Sequence, residues 1–183
     1  MDTYVAVLSI HSMLRWVVLV LAILVLVRTL TGWRGAKDWA DADSHFHLAF
    51  VTTLDVQVLL GIALYYPISP LIRTFMEDPA ASMEVAQIRF FAVEHATMMV
   101  VALVLAHIGR AVARKKEAGP KRHQSVFLNV CVVLLIVAAA IPWPFVPAAR
   151  PLFRVENVTI SQPEIAISSL RSVTASPFLD RAV

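Results

Sequence analysis

Residues Tyr4–Val27 read YVAVLSIHSMLRWVVLVLAILVLV, an apolar run broken only by Ser9, His11, Ser12 and Arg15. Wound as a helix rising 1.5 Å per residue, the run is long enough to cross a hydrocarbon layer about 30 Å thick. It does not alternate with period two, so a barrel strand is excluded, and a helix satisfies its own backbone in lipid. Asp2 precedes it, without Lys or Arg. No small-residue cleavage site follows a short apolar core, so the run is read as a retained span and not a cleavable signal.

Three more runs of this kind follow. The second covers about Phe46–Tyr66 and contains Thr52, Thr53, Asp55 and Gln57; the third covers about Ile88–Ala111 and carries Arg89, Glu94, His95, Thr97 and His107; the fourth covers about Val126–Val146, with Asn129 and Cys131. Composition agrees with four spans. Of the 183 residues 58% are hydrophobic and 16% charged, and the mean hydropathy is +0.72, too apolar for a soluble domain of this size. One Cys and five Gly exclude a disulfide scaffold, a cysteine-rich zinc module and a collagen-like repeat. The net charge of +3 does not point to nucleic acid, because the basic residues flank apolar runs, the pattern of membrane topology.

The loop after span one holds Arg28, Arg34 and Lys37, and the loop after span three holds Arg110, Arg114, Lys115, Lys116, Lys121 and Arg122. The loop between spans two and three has only Arg73 and the boundary Arg89. The positive-inside bias therefore places both basic loops in the cytoplasm and both termini outside. Trp33 and Trp39 fall beyond the inner end of span one, and Tyr65, Tyr66, Trp143 and Phe145 at outer ends, as interfacial aromatics do. Pro67 and Pro70 stop span two; Pro142, Pro144 and Pro147 close span four. The expectation is an all-α four-helix transmembrane bundle of up-down-up-down topology over 1–147. An irregular extramembrane tail over 148–183 follows, extended or partly disordered, and able to lie on a partner.

Ionisable residues inside a membrane need a partner or a task. Counted from the outer boundary, His11, Glu94 and His95 lie about 10 Å deep, Gln57 about 14 Å, and Arg15 and Asp55 about 16 Å. His11 and Arg15, four residues apart, share a helix face. Arg15 is expected to face inward and pair with Asp55 or Glu94. Two histidines at matched depth on different spans are what a b-type haem requires, one axial imidazole on each face of the ring. Arg89 is placed to meet a propionate. Met98, on a stripe with His95, Ala102 and Ala106, is placed to touch a flat ring, and Thr53, Gln57 and Gly61 form a small polar ridge on span two. The same residues also suit two hydrogen-bonded core histidines, or a quinone pocket in which His, Arg and carboxylate bind carbonyls and move protons.

A second group, His45, His47 and His107 with Asp41 and Asp43, has zinc- or copper-like ligand types or could seat a second haem on His47 and His107. Alternate positions on a helix point to different sides, however, and interfacial histidines are the plainer reading. Arg110–Arg122 is read as a topology-setting loop that touches anionic lipid, and Cys131 as a small core residue. Phosphate-binding Gly-rich loops, dinucleotide fingerprints, nucleophile elbows and paired CxxC motifs are absent from the sequence.

Several short motifs occur in a defined order: His11-Ser12 with Leu14-Arg15-Trp16; Gln57, Leu59-Leu60-Gly61 and Leu64-Tyr65-Tyr66; Arg89-Phe90 and Val93-Glu94-His95; and Ile141-Pro142-Trp143-Pro144-Phe145. Over about residues 4–154 the chain resembles a family of small bacterial four-span membrane proteins labelled cytochrome b-like. It departs from that pattern at Asp55, where members often carry a histidine, and this leaves His11 and His95 as the matched pair. The resemblance implies a bacterial cytoplasmic membrane. Taken together, these readings lead to an electron-transfer component holding haem b through His11 and His95, with Arg15, Asp55 and Glu94 setting local electrostatics, beside a larger respiratory or photosynthetic redox complex. The alternatives are a non-catalytic accessory subunit and a quinone-binding or proton-conducting protein without haem.

Overall fold

The computed structural model describes residues 3–148, and the side chains of all of these but 67 and 68. Apart from Ala148, the expected tail lies outside the described residues. Four helical stretches are long and apolar enough to cross a membrane: Thr3–Arg34, Asp41–Tyr66, Ala86–Arg114 and Pro120–Ala140. They mark a multi-pass, all-helical membrane protein. Span one is α1 (Thr3–Arg34); span two is α2 (Asp41–Ala63) continued by a π-helical turn, Leu64–Ile68. Two short helices follow, α3 (Pro70–Glu77) and α4 (Pro79–Glu84), each opened by its proline, which has no N–H to leave unpaired in a first turn. Span three is built in three pieces: α5 (Ala86–Arg89), a π-helical turn (Phe90–Glu94) and α6 (His95–Arg114). Span four is α7 (Pro120–Ala140).

The spans close in a ring. α1 packs on α2 and α7, α7 on α6, and α6 more loosely on α2. Spans one and three are therefore diagonal, as are spans two and four. The interior is mostly small and β-branched residues, among them Val18, Ala22, Val51, Ala102, Ala106, Val126, Val130 and Ala140, packed around a few large ones such as Phe50 and Leu54. The large aliphatic residues Val20, Ile23, Leu59, Ile62, Val104, Ile108 and Leu135 point outward. That distribution suits lipid. With apolar solvent outside, helices gain nothing by hiding large side chains from it, and association depends on close backbone approach over small residues. Asn129 adds a polar tie, its amide Nδ2–H donating to the Leu105 carbonyl at 3.0 Å.

Every span differs from the sequence expectation at one end or both; span two begins five residues earlier, at Asp41, and span three extends from Ala86 to Arg114. Span four starts six residues earlier, because Pro120 takes the first helical position after Gly119, and ends at Ala140, because Ile141 precedes Pro142 and adopts extended backbone (ψ 130°). Span one runs to Arg34, where Lys37 N–H reaches the Gly32 carbonyl and Ala36 N–H the Trp33 carbonyl, a paired helix stop. Trp39 is not an interfacial ring. It is only 9% exposed, lies 4.8 Å from the His123 ring, and donates its indole N–H to Ser44 Oγ at 2.7 Å.

Candidate functional site

His11 projects from α1 into the bundle, where the Gln57 amide N–H group of α2 donates to its Nε2 at 3.1 Å and to its backbone carbonyl at 3.1 Å. Gln57 is buried. One turn further along α2, Gly61 presents bare backbone to the imidazole: a Cβ there would stand 3.4 Å from His11 Cε1. His95 opens α6. Its Nδ1–H donates to the Ala140 carbonyl at 2.7 Å, an acceptor near the end of α7 that no later helical turn uses. That bond fixes the tautomer, placing the ring lone pair on Nε2. The two imidazoles meet across the diagonal, ring centres 6.3 Å apart and planes at 68°. Phe90 and Phe91, both in the π-helical turn, each lie 6.0 Å from the His95 ring and complete an aromatic wall. His11 Nδ1 and Gln57 Oε1 are buried with no hydrogen-bond partner among the described residues.

Of the residues expected to converge, His11, Gln57 and His95 come together. Arg15 stands one turn inward of His11 and close enough to act on it electrostatically, its guanidinium 5.4 Å from the Trp16 ring. Met98 is half-buried and packs against the core. The carboxylates expected for Arg15 are engaged elsewhere. Asp55 Oδ1 accepts from His107 Nε2 at 2.7 Å. Glu94 accepts from Arg89 Nε at 2.8 Å, and Arg89 also donates to the Met83 carbonyl at 3.0 Å, so this pair forms an exposed rim above the site. Matched depth brought Asp55 into the expected cluster, but azimuth removes it. At 100° per residue, Asp55 is turned about 200° from inward-facing Gln57 and comes out on the lipid side.

The second histidine group does not assemble. His45 Nδ1 bonds the Asp41 carbonyl at 2.8 Å, His107 holds Asp55 on the outside of the bundle, and His47 is buried apart from both. Among the described residues no three His, Cys, Asp or Glu side chains gather as metal ligands. Sequence reading missed His123, fully buried at the start of α7. Its signal was Gly32, the bare patch of α1 on which the ring lies.

Comparison with protein-family models, with curated proteins and with solved structures finds no match for this chain.

Proposed function

We propose that this protein is a membrane electron-transfer component that holds a b-type haem between His11 and His95. One observation carries the reading: two imidazoles from diagonal spans meet in the interior with ring centres 6.3 Å apart and planes at 68°. His11 and His95 are the residues that would hold the group, one nitrogen donor from each of two helices. The His95 donor fits as well: the Ala140 carbonyl holds its ring in the tautomer a metal ligand needs. On the other side, Gln57 fixes the His11 ring through Nε2 and the backbone carbonyl, and Nδ1 is the buried nitrogen without a partner among the described residues. Bound there, haem supplies one-electron chemistry. The chain's own residues orient the two rings, wall them with Phe90 and Phe91, and place the positive charge of Arg15 one turn away. The reading extends to the bacterial cytoplasmic membrane, with both termini on the outer side and a larger redox complex as neighbour. Protein purified from haem-replete cells should show sharp reduced bands after dithionite, lost in His11→Ala and in His95→Ala and kept in His107→Ala. A folded, colourless preparation would overturn this reading.

A second reading, a quinone-binding or proton-conducting protein without haem, is favoured by a separate feature. Asp55 and His107 form an ionisable pair, 33% and 53% exposed, on the lipid-facing side of the loose seam between α2 and α6. Such a pair in hydrocarbon marks a ligand or proton path by default. Quinone extracted from a preparation with a featureless visible spectrum, and absent from Asp55→Asn, would support it.

A further inference from the structure

The end of the bundle that carries the basic loops holds a second buried polar cluster, which the proposed redox site leaves unused. His47 of α2 is 2% exposed, yet its Nε2 has no hydrogen-bond partner among the described residues. The guanidinium groups of Arg110 (α6) and Arg122 (α7) both act electrostatically on it. Arg110 in turn feels Arg122, so a cation from α6 and one from α7 repel each other beside a buried imidazole. Arg122 lies flat over Trp39, 4.7 Å from the ring centre, which limits its escape into water, and its Nε is buried without a partner. His123, also buried, donates its Nε2–H to the Asp38 carbonyl at 3.3 Å, which leaves Nδ1 as an unpartnered acceptor.

No carboxylate balances this group among the described residues. The nearby acid is Asp43, and both of its oxygens are engaged. Oδ1 takes Arg28 at 2.8 Å, and Oδ2 takes the Ala40 N–H at 3.0 Å, leaving His123 Nε2 at 4.0 Å. Both α2 and α7 begin at this end, so their first-turn N–H groups add further positive potential. Like charges beside two unmatched buried nitrogens, His47 Nε2 and Arg122 Nε, are stabilised when an anion with several acceptor oxygens fills the space.

We infer that His47, Arg110 and Arg122 form a binding site for a phosphate group. A carboxylate offers two oxygens; a phosphate offers more, in a tetrahedral array that donors from two helices and a buried ring can share. The three residues sit within two turns of the ends of their spans, the depth at which basic pockets between helices take anionic phospholipid headgroups. A soluble phosphate is the other source of the same chemistry.

The test uses the full-length protein in zwitterionic detergent and follows its thermal midpoint against three probes. Dioleoyl-phosphatidylglycerol should raise the midpoint by about 5 °C at saturation, while dioleoyl-phosphatidylcholine should not. Inorganic phosphate producing the same shift would support the site and assign it to a soluble ligand. Arg110→Gln and Arg122→Gln should each abolish most of the shift, and Lys115→Gln/Lys116→Gln, which removes two charges from the adjoining loop, should keep it. Because a substitution also changes stability on its own, phosphorus retained per mole of purified protein is measured in parallel, and it should fall in the two arginine variants alone. Equal shifts with both lipids, or an unchanged shift and phosphorus content in Arg110→Gln and Arg122→Gln, would overturn the proposal. So would a haem absorbance that disappears in His47→Ala, since that would assign the orphan nitrogen to iron.

Discussion

Ala36 is held at φ 48°, in the left-handed region, by the double hydrogen bond that ends α1. Glycine is the usual occupant of that position, because a Cβ there crowds the following carbonyl at a cost of about 1–2 kcal/mol. Gly35 stands one residue too early to help. Ala36→Gly should therefore stabilise the fold, by about 0.5–1 kcal/mol once the extra freedom of glycine in the unfolded chain is subtracted. Thermal unfolding in detergent reads this directly, and a lower midpoint would refute it. The residue scale also shows what depth arithmetic lacks. Gln57 and Asp55 are two positions apart and nearly level, yet one touches His11 and the other faces lipid with His107. Distance along a helix axis says nothing about the side from which a side chain leaves it.

Between elements, glycines set how closely the helices approach. The backbone of α6 at Gly109 lies directly against the Asn129 amide, so a Cβ there would overlap that side chain. Asn129 cannot retreat without surrendering its bond to the Leu105 carbonyl. Gly109→Ala should destabilise the α6–α7 pair by about 1–3 kcal/mol. Placed in an Asn129→Ala background, the same change should cost much less, because the overlap is gone. Equal losses in both backgrounds, measured as shifts in thermal midpoint, would show that the contact is not what limits the approach. The π-helical turn Phe90–Glu94 acts at the same scale. An extra residue in one turn rotates everything after it relative to an unbroken helix, and it does so immediately before His95. Hydropathy marks span three as one apolar run. It carries no trace of the widened turn that orients Phe90, Phe91 and His95 toward one another.

Over the whole molecule, the proposed orientation in the membrane rests on where the basic residues lie. The α1–α2 and α6–α7 connections carry the basic residues, and the α3–α4 region carries few. In whole cells an impermeant maleimide should label Met83→Cys, in α4, and should label Lys116→Cys, in the α6–α7 loop, only after lysis, each variant being made on Cys131→Ala. The reverse pattern would invert the topology. The two buried polar clusters fall at opposite ends of the bundle; in the proposed orientation His11 and His95 are toward the outer side, and His47 with Arg110 and Arg122 toward the cytoplasmic side. A redox group near one face and an anion site near the other are compatible, because they share no side chain.

The number of spans, their helical character and the positions of His11 and His95 on separate spans were legible in the chain alone. Length and hydropathy are summed along a segment, and a bilayer imposes that sum whatever the neighbouring helices do. Which polar residues meet was decided by tertiary structure. Pairing depends on the rotation of each helix about its own axis and on where a proline, a π-helical turn or a glycine lets two backbones close up. For that reason Asp55 met His107 instead of Arg15, and His123, which the sequence did not single out, became part of the interior.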